Sequence, residues 1–195
     1  TVVDNFKSPT RFSLVTVNFS TTYYLKLMLL TLCEQEDLAA LCRIVVVDNN
    51  SKDGGVVFLE RLAAENEHIH LVKNKPNCTH ANGLRKGIEY INKLEQSLGQ
   101  QSCSNALLVC DTDIVFRNRQ TLNDIGAMLA EGDTPFAGEL RHGLYPYPEA
   151  QASFFAVRRD CYARSDIDPI VHHGAPAYFM QRSMWKAGLK PAHFP

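Results

Sequence analysis

The chain has 195 residues, of which 45% are hydrophobic and 21% are charged, and its formal net charge is −1. This composition is typical of a globular domain with a sizeable core, and it excludes a disordered chain. A net charge close to zero supplies no general attraction to nucleic acid or to an anionic membrane, so we expect neither as a partner.

Apolar strands alternate with helices in the first part of the chain. The predicted strands cover 12–19, 42–51, 68–74 and 105–111, and the predicted helices between them cover 21–35, 54–66 and 79–96. Runs of β-branched residues such as IVVV favour strands. Strands joined by helical crossovers predict right-handed βαβ units and a parallel sheet that is buried on both faces.

The pattern changes after residue 115. Helices are predicted over 119–132 and 175–188, and strands over 134–140 and 152–159. The two strands are joined by RHGLYPYPEA, a loop with two prolines, which predicts a small antiparallel element at the sheet edge. We therefore expect an α/β fold in one domain over 1–195, with a mostly parallel central sheet flanked by helices.

The cysteine usage and the length of the apolar runs predict where in the cell the protein resides. The six cysteines form no CxxC pair, and Cys33, Cys42 and Cys110 lie in apolar runs. This usage is typical of reduced core thiols, so we expect a cytoplasmic protein. The run YYLKLMLLTLC is too short to span a membrane and contains Lys26, and no signal-peptide pattern opens the chain.

Polar residues follow three of the predicted strands. They are Asn18, the DNNS segment at 48–51 and the DTD segment at 111–113. Ligands of open α/β sheets bind where the carboxyl ends of the strands meet, although a single acidic residue there is often only a turn or helix cap. Converging carboxylates repel one another, so a hard divalent cation that also accepts phosphate oxygens is the simplest ligand.

Four segments carry a family resemblance. FSLVTVNF, RIVVVDNNSKDGG, VKNKPNCTHANGLRKGI and NALLVCDTDIVF resemble, in order and spacing, the nucleotide-binding half of family 2 glycosyltransferases of the GT-A fold. The resemblance implies a Rossmann-like GT-A fold with a nucleotide-binding half over 1–115 and an acceptor-side half over 116–195. It also implies a nucleotide-sugar donor, usually a UDP-sugar, with Mn²⁺ or Mg²⁺ on the diphosphate.

The resemblance also implies roles for single residues. Val17 and Asn18 match the strand end that touches the nucleoside, and Asp48 matches the acidic residue that accepts a hydrogen bond from uracil or ribose. In the DTD segment, Asp113 matches the metal ligand. Asp111 matches a group that reaches the ribose or a metal-bound water and is a second candidate metal ligand, and Thr112 between the two aspartates is a further candidate donor-binding residue.

The loop that opens the third helix carries three further candidates. Gly83 permits close approach of the backbone, and Arg85 could reach a phosphate or a base. Arg85 has an alternative interpretation as a solvated charge on the helix face. His80 in the same loop is also a candidate donor-binding residue.

The expected general base is missing. Many inverting members of the family carry a Glu-Asp pair at the start of the last helix, where this chain has Ala175-Pro176 and no acidic residue beyond Pro169. We therefore consider His172, His173 and Glu139 as bases, with His173 also a candidate metal ligand. His193 is a weaker candidate, and a retaining enzyme needs no such base.

Two functions of different classes follow. The first is a metal-dependent glycosyltransferase that uses a UDP-sugar and an unknown acceptor, for which Tyr145, Tyr147 and Trp185 could provide stacking surfaces. The alternative is a nucleotide-sugar-binding protein of the same fold with weak or no transfer. A nucleotidyltransferase is disfavoured because no glycine-rich triphosphate loop follows the first strand. We expect an acceptor-binding tail to lie beyond Pro195.

Overall fold

A computed structural model describes residues 9–98, 104–131, 134–143, 145–171 and 175–195. The strands in these ranges are β1 (Phe12–Asn18), β2 (Leu41–Asp48), β3 (Ile69–Lys73), β4 (Ala106–Cys110), β5 (Phe136–Arg141), β6 (Glu149–Arg158) and β7 (Ala192–His193). The helices are α1 (Thr22–Leu32), α2 (Gly55–Glu65), α3 (His80–Leu98), α4 (Thr121–Ala130), α5 (Arg159–Tyr162) and α6 (Tyr178–Lys186), with a 3₁₀ turn at Leu38–Ala40.

The strands form one sheet in the order β3-β2-β1-β4-β6-β5-β7. The pairs among β1 to β4 are parallel, β6 runs antiparallel to both β4 and β5, and β7 adds a short parallel edge to β5. The predicted α/β fold, with its mostly parallel sheet and its antiparallel element, is confirmed. The short edge strand β7 was not predicted.

The sheet is buried on both faces because its central strands are apolar in both side-chain directions. All seven residues of β1 are buried. Val15 and Val17 face α3 and α6, whereas Leu14 faces α1, α2 and α4. α3 packs closely because Gly87 lies against Val15, whose Cγ2 would be 2.3 Å from an added Cβ.

The strand order brings the predicted polar residues together at the carboxyl ends of β1, β2 and β4. β1 lies between β2 and β4, and Asn18 is in register with Asp48. β4 ends at Cys110, and the next backbone N–H, that of Asp111, donates to the carbonyl of Ser153 at 2.7 Å. Because β6 is antiparallel, its first residues run past the end of β4 and form a wall beside the DTD segment.

A buried charge cluster lies at the amino ends of the parallel strands, opposite the DTD segment. Glu95, near the end of α3, is 4% exposed and pairs with both Arg43 and Arg159. Its Oε1 also accepts hydrogen bonds from the backbone N–H and the hydroxyl of Ser104, at 2.9 and 2.8 Å. The cluster therefore links α3 to the start of β2, to the segment just before β4 and to the start of α5. It lies at the end of the sheet opposite the DTD segment.

Two negative findings hold for the described part of the chain. None of its helices combines the length and the apolar character needed to cross a membrane. Its five cysteines are all free thiols.

Candidate active site

A hydrogen-bonded turn closes the ends of β1 and β2. Asp48 is 2% exposed, and its Oδ1 accepts from the Asn18 amide at 2.9 Å and from the Ser51 hydroxyl at 2.5 Å. Its Oδ2 accepts from the Ser51 backbone N–H at 3.0 Å. Asp48 and Asn18 therefore lie beneath the surface as organisers of the turn, and their contact with a nucleoside stays a prediction.

The same chain of hydrogen bonds reaches the DTD segment. The buried Thr112 hydroxyl donates to the Thr21 hydroxyl at 2.9 Å, which donates to the Asn18 side-chain oxygen at 3.0 Å. The ends of β4, β1 and β2 are thus held together by side chains. Ser51 acts as a turn residue, as is common for hydroxyl side chains shortly after a strand end, whereas the bond between Thr112 and Thr21 was not predicted.

Asp53 fixes the first turns of two helices in the same region. Its carboxylate accepts from the backbone N–H of Thr22 at 2.9 Å and from that of Gly55 at 3.1 Å. Burial acts to raise the pKa of Asp53, but the hydrogen bonds from Thr22 and Gly55 outweigh it and the pKa is lowered. Gly55 is required here, because an added Cβ would lie 1.9 Å from the Thr22 hydroxyl oxygen.

A cleft of about 600 Å³ opens above this turn, and we call it the strand-end cleft. Its lining residues are Val17, Phe19, Thr21, Tyr24, Asn49, Cys78, His80, Asp111, Thr112 and Asp113. Five of the predicted donor-binding residues are in this set. Sequence reasoning missed the aromatic side chains Phe19 and Tyr24, both of which are exposed.

A second cleft of about 550 Å³ adjoins it, and we call it the aromatic cleft. Its lining residues are His80, Asp111, Arg141, Tyr145, Glu149, Ala150, Gln151, Ala152, Ser153, Ala175, Pro176, Ala177, Tyr178 and Gln181. His80 and Asp111 line both clefts. The two clefts therefore meet at the first residue of the DTD segment, where a group bound in one can reach a group bound in the other.

Asp111 is partly buried at this junction, next to His80. Its Oδ1 is buried and has no hydrogen-bond donor among the described residues, although His80 Nε2 lies 3.3 Å away. Burial raises the pKa of Asp111, the positive charge of a protonated His80 lowers it, and the nearby Asp113 raises it further. A buried acceptor oxygen without a donor is a favourable position for a cation.

The carboxylates of Asp111 and Asp113 are candidate ligands for a divalent metal. Within the described ranges, no group of three or more His, Cys, Asp or Glu side chains is arranged to hold a metal ion. Mg²⁺ is usually bound by one or two carboxylates together with substrate phosphates and water, so a complete protein cage is not required. Asp111 and the exposed Asp113 fit that arrangement, and the predicted ligand His173 lies outside the described residues.

Gly83 and Arg85 of α3 lie outside the described lining of both clefts. The close approach at Gly83 is made to Val17, since an added Cβ would lie 2.8 Å from Val17 Cγ2. Arg85 lines neither cleft and lies 4.0 Å from Glu89, one turn along the helix. Arg85 is thus an exposed helix-face charge, which agrees with its alternative interpretation, and its contact with a donor stays a prediction.

The candidate bases fall in different places. Glu139 lies on β5 and lines a third groove, beside α4 and the segment after the DTD, and not the aromatic cleft. His193 Nδ1 accepts from the Leu140 backbone N–H at 3.1 Å and so joins β5 to β7. His172 and His173 lie outside the described residues.

Sequence reasoning missed Glu149. This residue is 9% exposed and, besides Asp111, contributes a carboxylate to the described lining of the aromatic cleft. A signal was present in the sequence, since Glu149 directly follows Pro148, the second proline of the loop. Its strand was predicted to begin only at residue 152, however, so Glu149 was assigned to the loop.

Two solved proteins share this fold. Mannosyltransferase PcManGT from Pyrobaculum calidifontis, solved with GDP-Man and Mn²⁺, has a TM-score of 0.73 and 17% identity, over 96% of this chain and 57% of that protein. S. aureus TarS 1-349 has a TM-score of 0.64 and 16% identity, over 89% of this chain and 55% of that one. The chain therefore spans little more than half the length of these proteins.

TarS has also been solved with UDP-GlcNAc, and that structure matches with a TM-score of 0.64 and 15% identity, over 89% of this chain and 53% of that one. A search of curated proteins gives no significant match. The sequence model of glycosyl transferase family 2 matches residues 13–123, which include the turn after β2, the start of α3 and the DTD segment. This match covers more than half of the chain, which therefore belongs to glycosyl transferase family 2.

Proposed function

We propose that this protein transfers a sugar from a UDP-sugar to an acceptor hydroxyl, with Mn²⁺ or Mg²⁺ on the diphosphate. The observation that carries the proposal is the buried Oδ1 of Asp111, which accepts no hydrogen bond from a described residue, at the point where two clefts meet. Membership of family 2 supports sugar transfer. Complexes of similar folds with GDP-Man and Mn²⁺, and with UDP-GlcNAc, support a metal and a nucleotide-sugar.

In this proposal the strand-end cleft binds the nucleotide. Val17 and Thr21 form its floor, and the exposed rings of Phe19 and Tyr24 are available to the base. The network under the floor keeps these side chains in place before the ligand arrives, which reduces the entropy lost on binding.

The DTD segment binds the diphosphate through a metal. Asp113 and Asp111 would hold the ion, and the hydrogen bond from Thr112 to Thr21 anchors the segment between them to the residues after β1. When bound, the metal supplies Lewis-acid stabilisation of the leaving diphosphate. α3 begins at His80, so the positive end of a long helix also faces this region.

The alternative is a binding protein without transfer. One observation favours it, the replacement of the expected acidic pair by Ala175 and Pro176, which line the aromatic cleft. Loss of that base removes one route of proton transfer but leaves the donor site intact.

The proposal is tested by nucleotide release from UDP-glucose, UDP-N-acetylglucosamine, UDP-galactose and GDP-mannose, with Mn²⁺ and with a chelator. We expect Mn²⁺-dependent UDP release from at least one UDP-sugar and none from Asp113→Asn. Release that persists in the chelator contradicts the metal, and preference for GDP-mannose contradicts the UDP carrier. No release from any donor by a protein that binds UDP favours the alternative.

A further inference from the structure

Four aromatic side chains form a connected cluster at the aromatic cleft. The ring centres of Tyr145 and Tyr178 are 4.5 Å apart, and Tyr147 lies 6.1 Å from Tyr145 and 6.2 Å from Tyr178. Trp185 lies behind Tyr147 at 6.1 Å. Only Tyr145 and Tyr178 of this cluster are in the described lining of the cleft. They form its aromatic surface, and the other two rings support them.

The support is rigid because α6 is hydrogen-bonded to the loop and to β6. Trp185 Nε1 donates to the carbonyl of Pro148 at 3.1 Å. Gln181, which is 1% exposed, accepts from the Ala150 backbone N–H at 2.7 Å and donates to the Ala150 carbonyl at 2.9 Å. A surface fixed in this way binds a flat ligand without first having to be ordered.

Polar side chains surround the aromatic surface. Glu149, Arg141, Gln151 and Ser153 all line the same cleft. Together they offer carboxylate, amide and hydroxyl acceptors and guanidinium, amide and hydroxyl donors. A ligand that satisfies this arrangement has an apolar face for the rings and hydroxyl groups around its edge. A pyranose ring has this chemistry, since its axial C–H bonds form apolar faces and its hydroxyls lie at the rim.

We propose that Tyr145 and Tyr178 form a subsite for a pyranose ring, and that the acceptor is a saccharide. The inference rests on the proposed function, because the cleft meets the donor cleft at Asp111 and His80. In the transfer, the acceptor hydroxyl oxygen bonds to the anomeric carbon of the donor sugar. The bond from that carbon to the diphosphate breaks, the diphosphate leaves with the electron pair, and the hydroxyl proton passes to the Glu149 carboxylate.

The test is saturation-transfer NMR on the full chain with UDP and Mn²⁺, with methyl glycosides of glucose, mannose, galactose and N-acetylglucosamine as probes. We expect saturation of the ring C–H protons of at least one pyranoside. Tyr145→Ala and Tyr178→Ala should weaken its binding about tenfold, whereas Tyr145→Phe should retain it. Tyr23→Ala is the matched control, because Tyr23 is 77% exposed on α1 and lines neither cleft.

The outcomes separate the subsite from the transferase. If UDP binds but no pyranoside is saturated, the subsite is wrong and the donor site stands. If a pyranoside binds through Tyr145 but UDP does not bind, the subsite stands and the proposed transfer falls. Equal affinities of wild type and Tyr178→Ala overturn the subsite. Should an alanine variant melt early, Tyr145→Leu keeps the apolar volume without a ring, and unchanged pyranoside affinity in that variant also overturns it.

Discussion

Asp111 and Asp113 are two residues apart and differ in environment. The Asp111 side chain is partly buried with one oxygen that no described donor reaches, whereas Asp113 is exposed. Burial is the main reason that the pKa of Asp111 is raised, and a raised carboxyl pKa means that the folded state disfavours the charge. The negative charge of Asp111 therefore lowers the stability of the folded, metal-free protein.

We expect Asp111→Asn to raise the melting temperature of the metal-free protein at neutral pH and to abolish Mn²⁺-dependent UDP binding. The stabilisation comes from removal of a buried charge, so it is present above the raised pKa and disappears as the pH falls through that pKa toward 3.8, the ordinary value. Thermal unfolding across this range measures it. Asp113→Asn is the control, with lost UDP binding and little change in melting temperature. An unchanged or lower melting temperature for Asp111→Asn contradicts the assignment.

Glu149 on β6 and Glu139 on β5 should differ in their effect on turnover. Glu149 lines the aromatic cleft, whereas Glu139 lines the third groove. If Glu149 takes the acceptor proton, Glu149→Gln should lower turnover by roughly 10²–10⁴-fold and leave UDP affinity unchanged. Glu139→Gln should stay within about twofold of wild type. Steady-state kinetics and UDP titration measure both, and equal turnover of the two variants rules out the role of Glu149.

At the scale of elements, the turn between β2 and α2 depends on Asp53, which holds the first turns of α1 and α2. Burial opposes ionisation of this carboxyl, but the hydrogen bonds from Thr22 and Gly55 lower its pKa below 3.8. Asp53→Asn should therefore destabilise the protein at neutral pH. A carboxyl group whose pKa is lowered by folding contributes its full stabilisation above pH 3.8. That stabilisation is lost as the pH falls through the pKa of the folded state. The melting temperatures of variant and wild type should converge there, and a constant difference contradicts the prediction.

At the amino ends of the parallel strands, the Glu95 cluster should stabilise the fold without contributing to binding of the nucleotide-sugar. Glu95→Ala removes the buried carboxylate that pairs with Arg43 and Arg159 and should lower the free energy of unfolding by about 3–5 kcal/mol. Glu89→Ala, an exposed change on the same helix, should cost less than about 0.5 kcal/mol. Urea unfolding measures both variants. A cost below about 1 kcal/mol for Glu95→Ala, or a loss of UDP affinity at full folding, contradicts this division.

At the scale of the whole molecule, local sequence accounts for the parallel half of the fold. Apolar β-branched runs and the helices between them predicted β1 to β4 and placed Asp111 and Asp113 at the sheet edge. The same logic failed for β6, which begins at Glu149 although its strand was predicted from residue 152. The register of an antiparallel strand is set by its partners, and here pairing with β5 extends the strand back to Glu149, through residues such as glutamate and alanine that have low intrinsic strand propensity.

Side-chain direction was the other limit. A position near the start of α3 identified both His80 and Arg85 as candidates, but a helix presents residues five apart on different faces. Which face meets the cleft depends on how Gly83 and Gly87 seat the helix on β1. That contact places His80 at the junction of the clefts and Arg85 outside. The network of Thr112, Thr21 and Asn18 likewise depends on strand order, which the sequence of each segment does not specify.

The central claim is a metal-dependent UDP site at the carboxyl ends of β1, β2 and β4. Calorimetric titration of the protein with UDP, GDP and ADP, in Mn²⁺ and in a chelator, tests it most directly. The account predicts that UDP binds best and that Mn²⁺ tightens UDP binding by more than about tenfold, because the ion relieves repulsion between the diphosphate and the carboxylates of Asp111 and Asp113. Equal UDP affinity in Mn²⁺ and in the chelator, or a preference for ADP, contradicts it.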